Sequence, residues 1–353
     1  MRKFLLKVSI FAAYVILVST IIPMWIDPFN VFHWDNIRIN GVEPNKNYIK
    51  MKHILANPEK FDSFLFGSSR VGAIHPEKII GERCYNMTNA AALPGWHLMN
   101  IKTMCENGIN PKKIYVGLDS ISYTGDYKGQ YNDPGRCPYE HLRDDAAHFV
   151  KLYFNVSSSV RSLANLLKTV LIEMKVINPM ILMDPEIFYE YGISGYGQIR
   201  IFDWNDKSKI IPNYGGSPNP DIEATLKIIR ETSEICRENN IELILFTNPM
   251  HCITYLDSVR YKDYFKFLEG LAEISDFWNF SSLNDITIDT ANYGDPSHYR
   301  ANVGDMIINV ICNGKSYPEL NAQGFGVKVT RENAKDFISM LRRQIEDYEK
   351  SQQ

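Results

Sequence analysis

Two short stretches carry residue types that could do chemistry. In "KFDSFLFGSSRVGAIHP", residues 60–76, the apolar run Phe64-Leu65-Phe66 stops at Gly67 and is followed by Ser68, Ser69 and Arg70. In "NYGDPSHYRANVGDMIINVI", Asp295 and His298 stand three residues apart. A serine displayed at the end of a buried strand can attack an acyl carbonyl, but a free hydroxyl is a weak nucleophile at neutral pH and needs a base. An Asp-x-x-His spacing supplies one, because the carboxylate can orient one ring nitrogen while the other faces the serine. Neither signal is specific alone. Serine and glycine also make ordinary turns. A second Asp-x-x-His, Asp145/His148, falls in a helical-looking stretch, where such a pair reads as a solvated surface contact.

The elements that must position these residues follow an alternating pattern. Apolar strands are expected at 63–66, 84–88, 113–118, 241–247 and 277–280, with helices between them. Residues 221–239 place Ile222, Leu226, Ile229 and Cys236 at helical spacing before Asn239-Asn240, and 331–349 form a charged amphipathic helix with Phe337, Met340, Leu341 and Ile345 on one side. Strands alternating with helices predict an α/β fold: a flavodoxin-like three-layer sandwich around a parallel sheet of about five strands. Ligands of such sheets bind beyond the carboxyl ends of the strands. Ser69 stands at that end of the first strand, and Asp295 and His298 follow the last, whereas Asp145 and His148 do not.

One interval breaks the alternation. Residues 121–220 separate the third and fourth strands, which is too long for a plain connection. They open with "YTGDYKGQYNDPGRCP", continue as helical-looking material at 142–175 and end in a Tyr/Gly-rich region at 186–217. We expect an insertion over the active edge. Its aromatics, Tyr189, Tyr191, Tyr196, Phe202 and Trp204, read either as a sugar-stacking surface or as the core of a long loop.

The N-terminus has its own character. Arg2, Lys3 and Lys7 precede nineteen uncharged residues, Val8 to Ile26. That is close to the roughly 20 residues that span a bilayer. The flanking charges favour a cytoplasmic N-terminus and an extracytoplasmic bulk. A cleaved signal peptide and a buried soluble helix are the rival readings. The expected organisation is an anchor at 1–27 meeting the bilayer through residues 8–26, a juxtamembrane linker with a lead-in helix at 28–58, and an α/β domain at 59–353.

Composition excludes some classes. A net charge of −3 and a pI near 6.3 give no electrostatic reason for a nucleic-acid partner. The six cysteines, Cys84, Cys105, Cys137, Cys236, Cys252 and Cys312, are scattered with no Cys-x-x-Cys or Cys/His ligand spacing, so no zinc or other metal site is expected. Buried single thiols are the default reading, with one or two disulfides open to them outside the cytoplasm.

With "FGSSR" at the first strand, "DPSHYR" near the C-terminus and a five-strand α/β pattern between them, the chain resembles the SGNH (GDSL-like) hydrolase superfamily. Within it the chain looks like the membrane-anchored, DltD-like branch that takes part in acylating cell-surface polymers. The resemblance covers roughly 60–120 and 240–315 plus the anchor, and leaves out the insertion. It implies Ser69 as nucleophile and Asp295 and His298 as its partners, with no cofactor. Ser68 replaces the usual Asp of Gly-Asp-Ser, a change common in the anchored branch. The second block, "YNMTNAAALPG", places Ala90 or Ala91 where the family has an oxyanion-hole glycine. The third, "VGLDS", places Asp119 where the family has an oxyanion-binding asparagine. An ionised Asp119 would repel an oxyanion, so it is protonated or points elsewhere; pairing with Arg70 and capping the next segment are the two expectations. Arg70, Ser68 and Gly117 are the expected supporting residues, His251 (in "TNPMHC") reads either as another or as an ordinary loop histidine, and His75 reads as a helix-opening residue.

The resemblance implies a membrane-anchored serine acyltransferase or esterase acting on O-acyl groups of a cell-surface glycan or lipid-linked polymer. It also implies a membrane-bound O-acyltransferase as partner. An esterase that deacylates glycans is a rival, and so is a non-catalytic adaptor of the same fold.

Overall fold

The computed structural model describes residues 1–27, 29, 31–32, 44–154, scattered positions within 160–176, and 184–193, 202–204 and 221–351. Contacts divide them into two units. One comprises residues 1–52 and 128–186, the other 53–127 and 187–353. The expected insertion therefore divides: 128–186 group with the N-terminal segment, and its last described residues group with the sheet.

The first unit begins with α1 (Arg2–Ile26). Within Arg2–Trp25 an 18-residue window reaches a mean hydropathy of 2.3, and most of the helix is exposed, with Val15, Val18, Ser19 and Thr20 half-buried and Pro23 buried. The Ser19 and Thr20 hydroxyls donate to the Ile16 carbonyl at 3.0 and 2.8 Å, so its polar side chains are satisfied within the helix. Asp27 ends it in the left-handed conformation, and the Asp27 carboxylate accepts from the Val31 and Phe32 amides. By length and composition this helix meets the requirement of a membrane anchor and equally that of a signal sequence. Helix α2 (Lys46–Ala56) follows, and the first unit ends within it at Lys52; of its residues in this unit Tyr48, Ile49 and Met51 are buried, so the lead-in segment is packed. At its start, Asn45 Nδ2 donates to the Pro134 and Cys137 carbonyls and to Tyr153 Oη.

The second unit is built on β1 (Ser63–Gly67), β2 (Cys84–Asn86), β3 (Lys113–Leu118), β4 (Glu242–Thr247), β5 (Phe277–Asn279) and β8 (Val327–Val329), in the order β2-β1-β3-β4-β5-β8. The first five are parallel and β8 runs antiparallel at the edge. The strand order reverses between β1 and β3. Helices α3 (Pro94–Glu106), α9 (Ile222–Glu238), α10 (Cys252–Tyr261), α11 (Tyr264–Ala272), α13 (Ala301–Ile311) and α15 (Ala334–Ser351) belong to the same unit. Between them lie α4 (Ser120–Thr124) in this unit, α5 (Tyr127–Tyr131), α6 (Glu140–Asp144) and α7 (Ala146–Tyr153), then α8 (Pro185–Tyr191), α12 (Asp285–Ile288) and α14 (Pro318–Ala322).

Two differences from expectation have local causes. The sheet has six strands because β8, only three residues between Gly326 and Thr330, is too short to leave a period-2 signal. Asp295 and His298, expected only to follow the last strand, sit in a hairpin of their own, β6 (Tyr293–Asp295) with β7 (His298–Tyr299). Pro296-Ser297 makes its turn.

The sheet end that carries Ser69 is set by small residues. A Cβ at Gly67 would collide with the Val71 side chain. One at Gly117, its partner on β3, would stand 2.5 Å from Val71 Cγ2 and 2.8 Å from Phe246 Cζ. Both glycines leave room for Val71, fully buried in the turn that follows β1. A Cβ at Gly304 would stand 2.6 Å from the Ala73 carbonyl oxygen, so only glycine lets α13 approach that turn. Gly117 thus acts through packing.

Candidate active site

Ser69 opens a 3₁₀ turn, Ser69–Ala73, directly beyond the carboxyl end of β1. Asn86 holds this turn from the end of β2, its Nδ2 donating to the Val71 and Ile74 carbonyls at 3.0 and 3.1 Å. The Ser69 Oγ lies 2.8 Å from His298 Nε2. On the other side of the ring, His298 Nδ1 lies 2.9 and 3.0 Å from the two Asp295 carboxylate oxygens. A carboxylate can only accept, so Nδ1 carries the proton and donates, and Nε2 accepts from the serine hydroxyl.

The hairpin explains this geometry. Asp295 and His298 are cross-strand partners, so both side chains project from one tight turn. Asp295 Oδ1 also accepts from the Ser297 and His298 amides at 2.7 and 2.9 Å, which locks the carboxylate before it meets the ring. The hairpin is pinned to the sheet by its tyrosines. Tyr299 Oη donates to Asn248 Oδ1 at 3.0 Å, and Tyr293 Oη donates to the Pro249 carbonyl at 3.1 Å. Thr254 of α10 donates to the Pro296 carbonyl at 2.6 Å. Asp295 is almost fully buried and His298 half-buried, so the dyad is shielded and the serine side stays approachable.

Beneath the serine lies a buried polar bracket. Asp119, at the end of β3, caps α4 by accepting from the Ile121 amide at 2.9 Å. Its Oδ1 also lies 2.9 Å from Arg70 Nη1, an ion pair. Its Oδ2 accepts from Ser68 Oγ at 2.8 Å and from Asn248 Nδ2 at 3.2 Å. Arg70 Nε donates to the Ser297 carbonyl at 2.8 Å. Arg70 and Asp119 side chains have no exposure. Asp119 therefore both pairs with Arg70 and caps the next helix, and its oxygens are turned into the bracket. Arg70 reaches from the serine turn to the histidine hairpin, and its charge is balanced in a dry setting that a lone ion could not tolerate.

The remaining expected residues fall differently. Ala90 and Ala91 form a turn at the carboxyl end of β2, beside β1 and at the same edge as Ser69. Ala91 adopts φ +50°, the left-handed region that favours glycine. His251 caps α10, its Nδ1 accepting from the Ile253 amide at 3.3 Å, while its ring lies between Trp204 and Tyr293. Burial pushes its pKa down to about 4, so it stays neutral. His251 is a packing and capping residue; Asn248, three positions earlier, is the one that touches the bracket. His75 opens a 3₁₀ turn and pairs with Glu77.

The aromatics of 186–217 split. Tyr189 lies against His53, Tyr191 ends α8, Phe202 packs edge-on to Trp204, and Tyr196 lies outside the described residues. Sequence reasoning passed over Asn86, Asn248 and Ser297. The first two had a readable signal, since each is a polar residue at the carboxyl end of an apolar strand.

No protein-family model matches this chain, and no curated protein matches it.

Proposed function

We propose that the protein is a membrane-anchored, extracytoplasmic serine acyltransferase or esterase of the SGNH type, acting on O-acyl groups of a cell-surface polysaccharide or wall polymer. The observation that carries this reading is the unbroken chain Ser69 Oγ–His298 Nε2, His298 Nδ1–Asp295. In it Ser69 Oγ attacks the acyl carbonyl carbon while its proton passes to His298 Nε2. The Ser69 amide, with the turn at Ala90-Ala91, binds the oxyanion. As the ester C–O bond breaks, His298 returns the proton to the leaving alcohol. Asp295 stabilises the imidazolium in between. The acyl-serine then passes to water or to a polymer hydroxyl, with His298 again as base.

The order of the five parallel strands, 2-1-3-4-5, supports a flavodoxin-like layering. In such sheets the ligand crevice opens where the order reverses. Here that is between β1 and β3, the ends that carry Ser69 and Asp119. The exposed apolar α1, behind Arg2, Lys3 and Lys7, supports the anchor with its N-terminus inside. An anchor keeps the site beside lipid-linked or wall-attached acceptors and beside a membrane-bound O-acyltransferase that could hand over the acyl group, which favours transfer.

The test is fluorophosphonate labelling of the full chain in detergent, with p-nitrophenyl acetate turnover alongside. Labelling that vanishes in Ser69→Ala and falls in His298→Ala supports the activated serine; no labelling of the folded wild type counts against it. A second reading, a non-catalytic adaptor, is favoured by one observation: Asp119 stands where an oxyanion donor is expected and is fully engaged elsewhere.

A further inference from the structure

We infer that His141, Asp145 and His148 form a binding site for a divalent transition-metal ion of the zinc class. One ligand atom from each lies within 4.8 Å of the other two. His141 belongs to α6, Asp145 is both the last cap of α6 and the first cap of α7, and His148 lies in the first turn of α7. A tetrahedral zinc site with bonds of about 2.1 Å holds its ligand atoms roughly 3.4 Å apart. Closing the cluster takes about an ångström of side-chain movement per pair, within the reach of small χ rotations.

A second observation points to a ligand independently of the spacing. His141 is 2% exposed, yet neither ring nitrogen has a hydrogen-bond partner among the described residues, and the buried Nε2 of His148 has none either. Buried imidazole nitrogens are ordinarily satisfied. The two rings face each other at 4.7 Å between centroids, and Tyr131 packs on both, at 4.4 and 4.9 Å. Ring packing alone would bring the three rings together, but it leaves those nitrogens unsatisfied.

The carboxylate is held as a ligand is usually held. Tyr131 Oη donates to Asp145 Oδ2 at 3.1 Å, and the His148 amide donates to Oδ1 at 3.0 Å. Such outer partners fix the direction of a ligand and raise its affinity. Two imidazoles and one carboxylate suit zinc, and leave a fourth position for water or another group. The ion would clip α6 to α7.

The experiment is zinc titration of the full-length, chelator-stripped chain in detergent, by calorimetry, with cobalt absorption as a report on ligand type. One zinc per chain, a cobalt spectrum with nitrogen and oxygen ligands, and a higher melting temperature with zinc are expected. His141→Ala and Asp145→Asn should each weaken binding at least about tenfold. Asparagine caps helices as well as aspartate, so Asp145→Asn keeps the fold and decides the matter even if His141→Ala does not fold. No stoichiometric binding, or binding unchanged in Asp145→Asn, overturns the proposal.

Discussion

Asp145-Ala-Ala-His148 and Asp295-Pro-Ser-His298 share one spacing and one local device. In each, the aspartate Oδ1 accepts from the amide of the histidine three residues on, at 3.0 and 2.9 Å. The rest differs. At 295–298 the backbone makes a hairpin, the ring turns back onto the carboxylate, and its far nitrogen meets Ser69. At 145–148 the backbone starts a helix, and the ring lies against Tyr131 and His141. The spacing specifies a capped turn. What the imidazole then does depends on which distant residue the fold brings to its free face.

The largest expected effect breaks this comparison at one end. Asp295→Asn removes the acceptor that sets the tautomer of His298, so labelling and turnover should fall about 10⁴-fold, as in other triads. Ser69→Ala should abolish labelling. Asp145→Asn, by contrast, should leave the stability of the metal-free chain within about 0.5 kcal/mol, because asparagine still caps α7. Turnover by Asp295→Asn close to wild type would undo the distinction between the two motifs.

Next comes the bracket that supplies the distant residue in one case only. Asp119→Asn leaves the Arg70 guanidinium buried without its counter-charge, so we expect a loss of about 3–5 kcal/mol in denaturant unfolding and lower turnover. Unchanged or higher activity would show that the negative charge is not needed. Ser68→Ala, which removes one hydrogen bond to the same carboxylate, should cost only about 1 kcal/mol.

A smaller effect concerns pH. Burial lowers the pKa of His251 to about 4 and that of His97 to about 3. The unfolded chain, with ordinary histidines near 6.5, binds these protons more readily. Stability from each is thus fully present above about 6.5 and is lost as pH falls from there towards about 4 for His251 and about 3 for His97. Each contributes a slope of up to about 1.4 kcal/mol per pH unit in its window. His251→Phe should flatten the slope between pH 6 and about 4 in urea unfolding; an unchanged slope would place the titration elsewhere.

The smallest effect is at the turn beside the serine. Ala91→Gly should raise stability by about 0.5–1 kcal/mol, since relief of the left-handed strain slightly exceeds the added chain entropy. A lower melting temperature would mean that the φ of +50° costs less than the entropy glycine adds.

Much of this protein was legible in the residues themselves. Apolar runs of three to five residues before Gly67, Asp119 and Thr247 identify buried strands, and the long uncharged stretch after Lys7 identifies a helix of bilayer length, because hydrophobic burial writes its periodicity directly into the chain. The place of Asp295-x-x-His298 relative to the strands was legible too, whereas the solvated contact expected of Asp145/His148 is not what forms: the His148 Nε2 is buried and its ring packs on Tyr131 and His141. Contacts that join distant segments were not legible. Arg70 reaching Ser297, Asn248 bonding Asp119, and the unmet nitrogens of His141 depend on packing between residues far apart or on loop geometry, which no local pattern encodes. The sequence by itself determined the α/β pattern and offered Ser69, Asp295 and His298. Only the tertiary structure decided that those three meet, that Asp119 faces Arg70, and that His251 is packed away. Side-chain partners are set by the register of strands and the direction of turns, and these become definite only when the whole sheet has closed around its core.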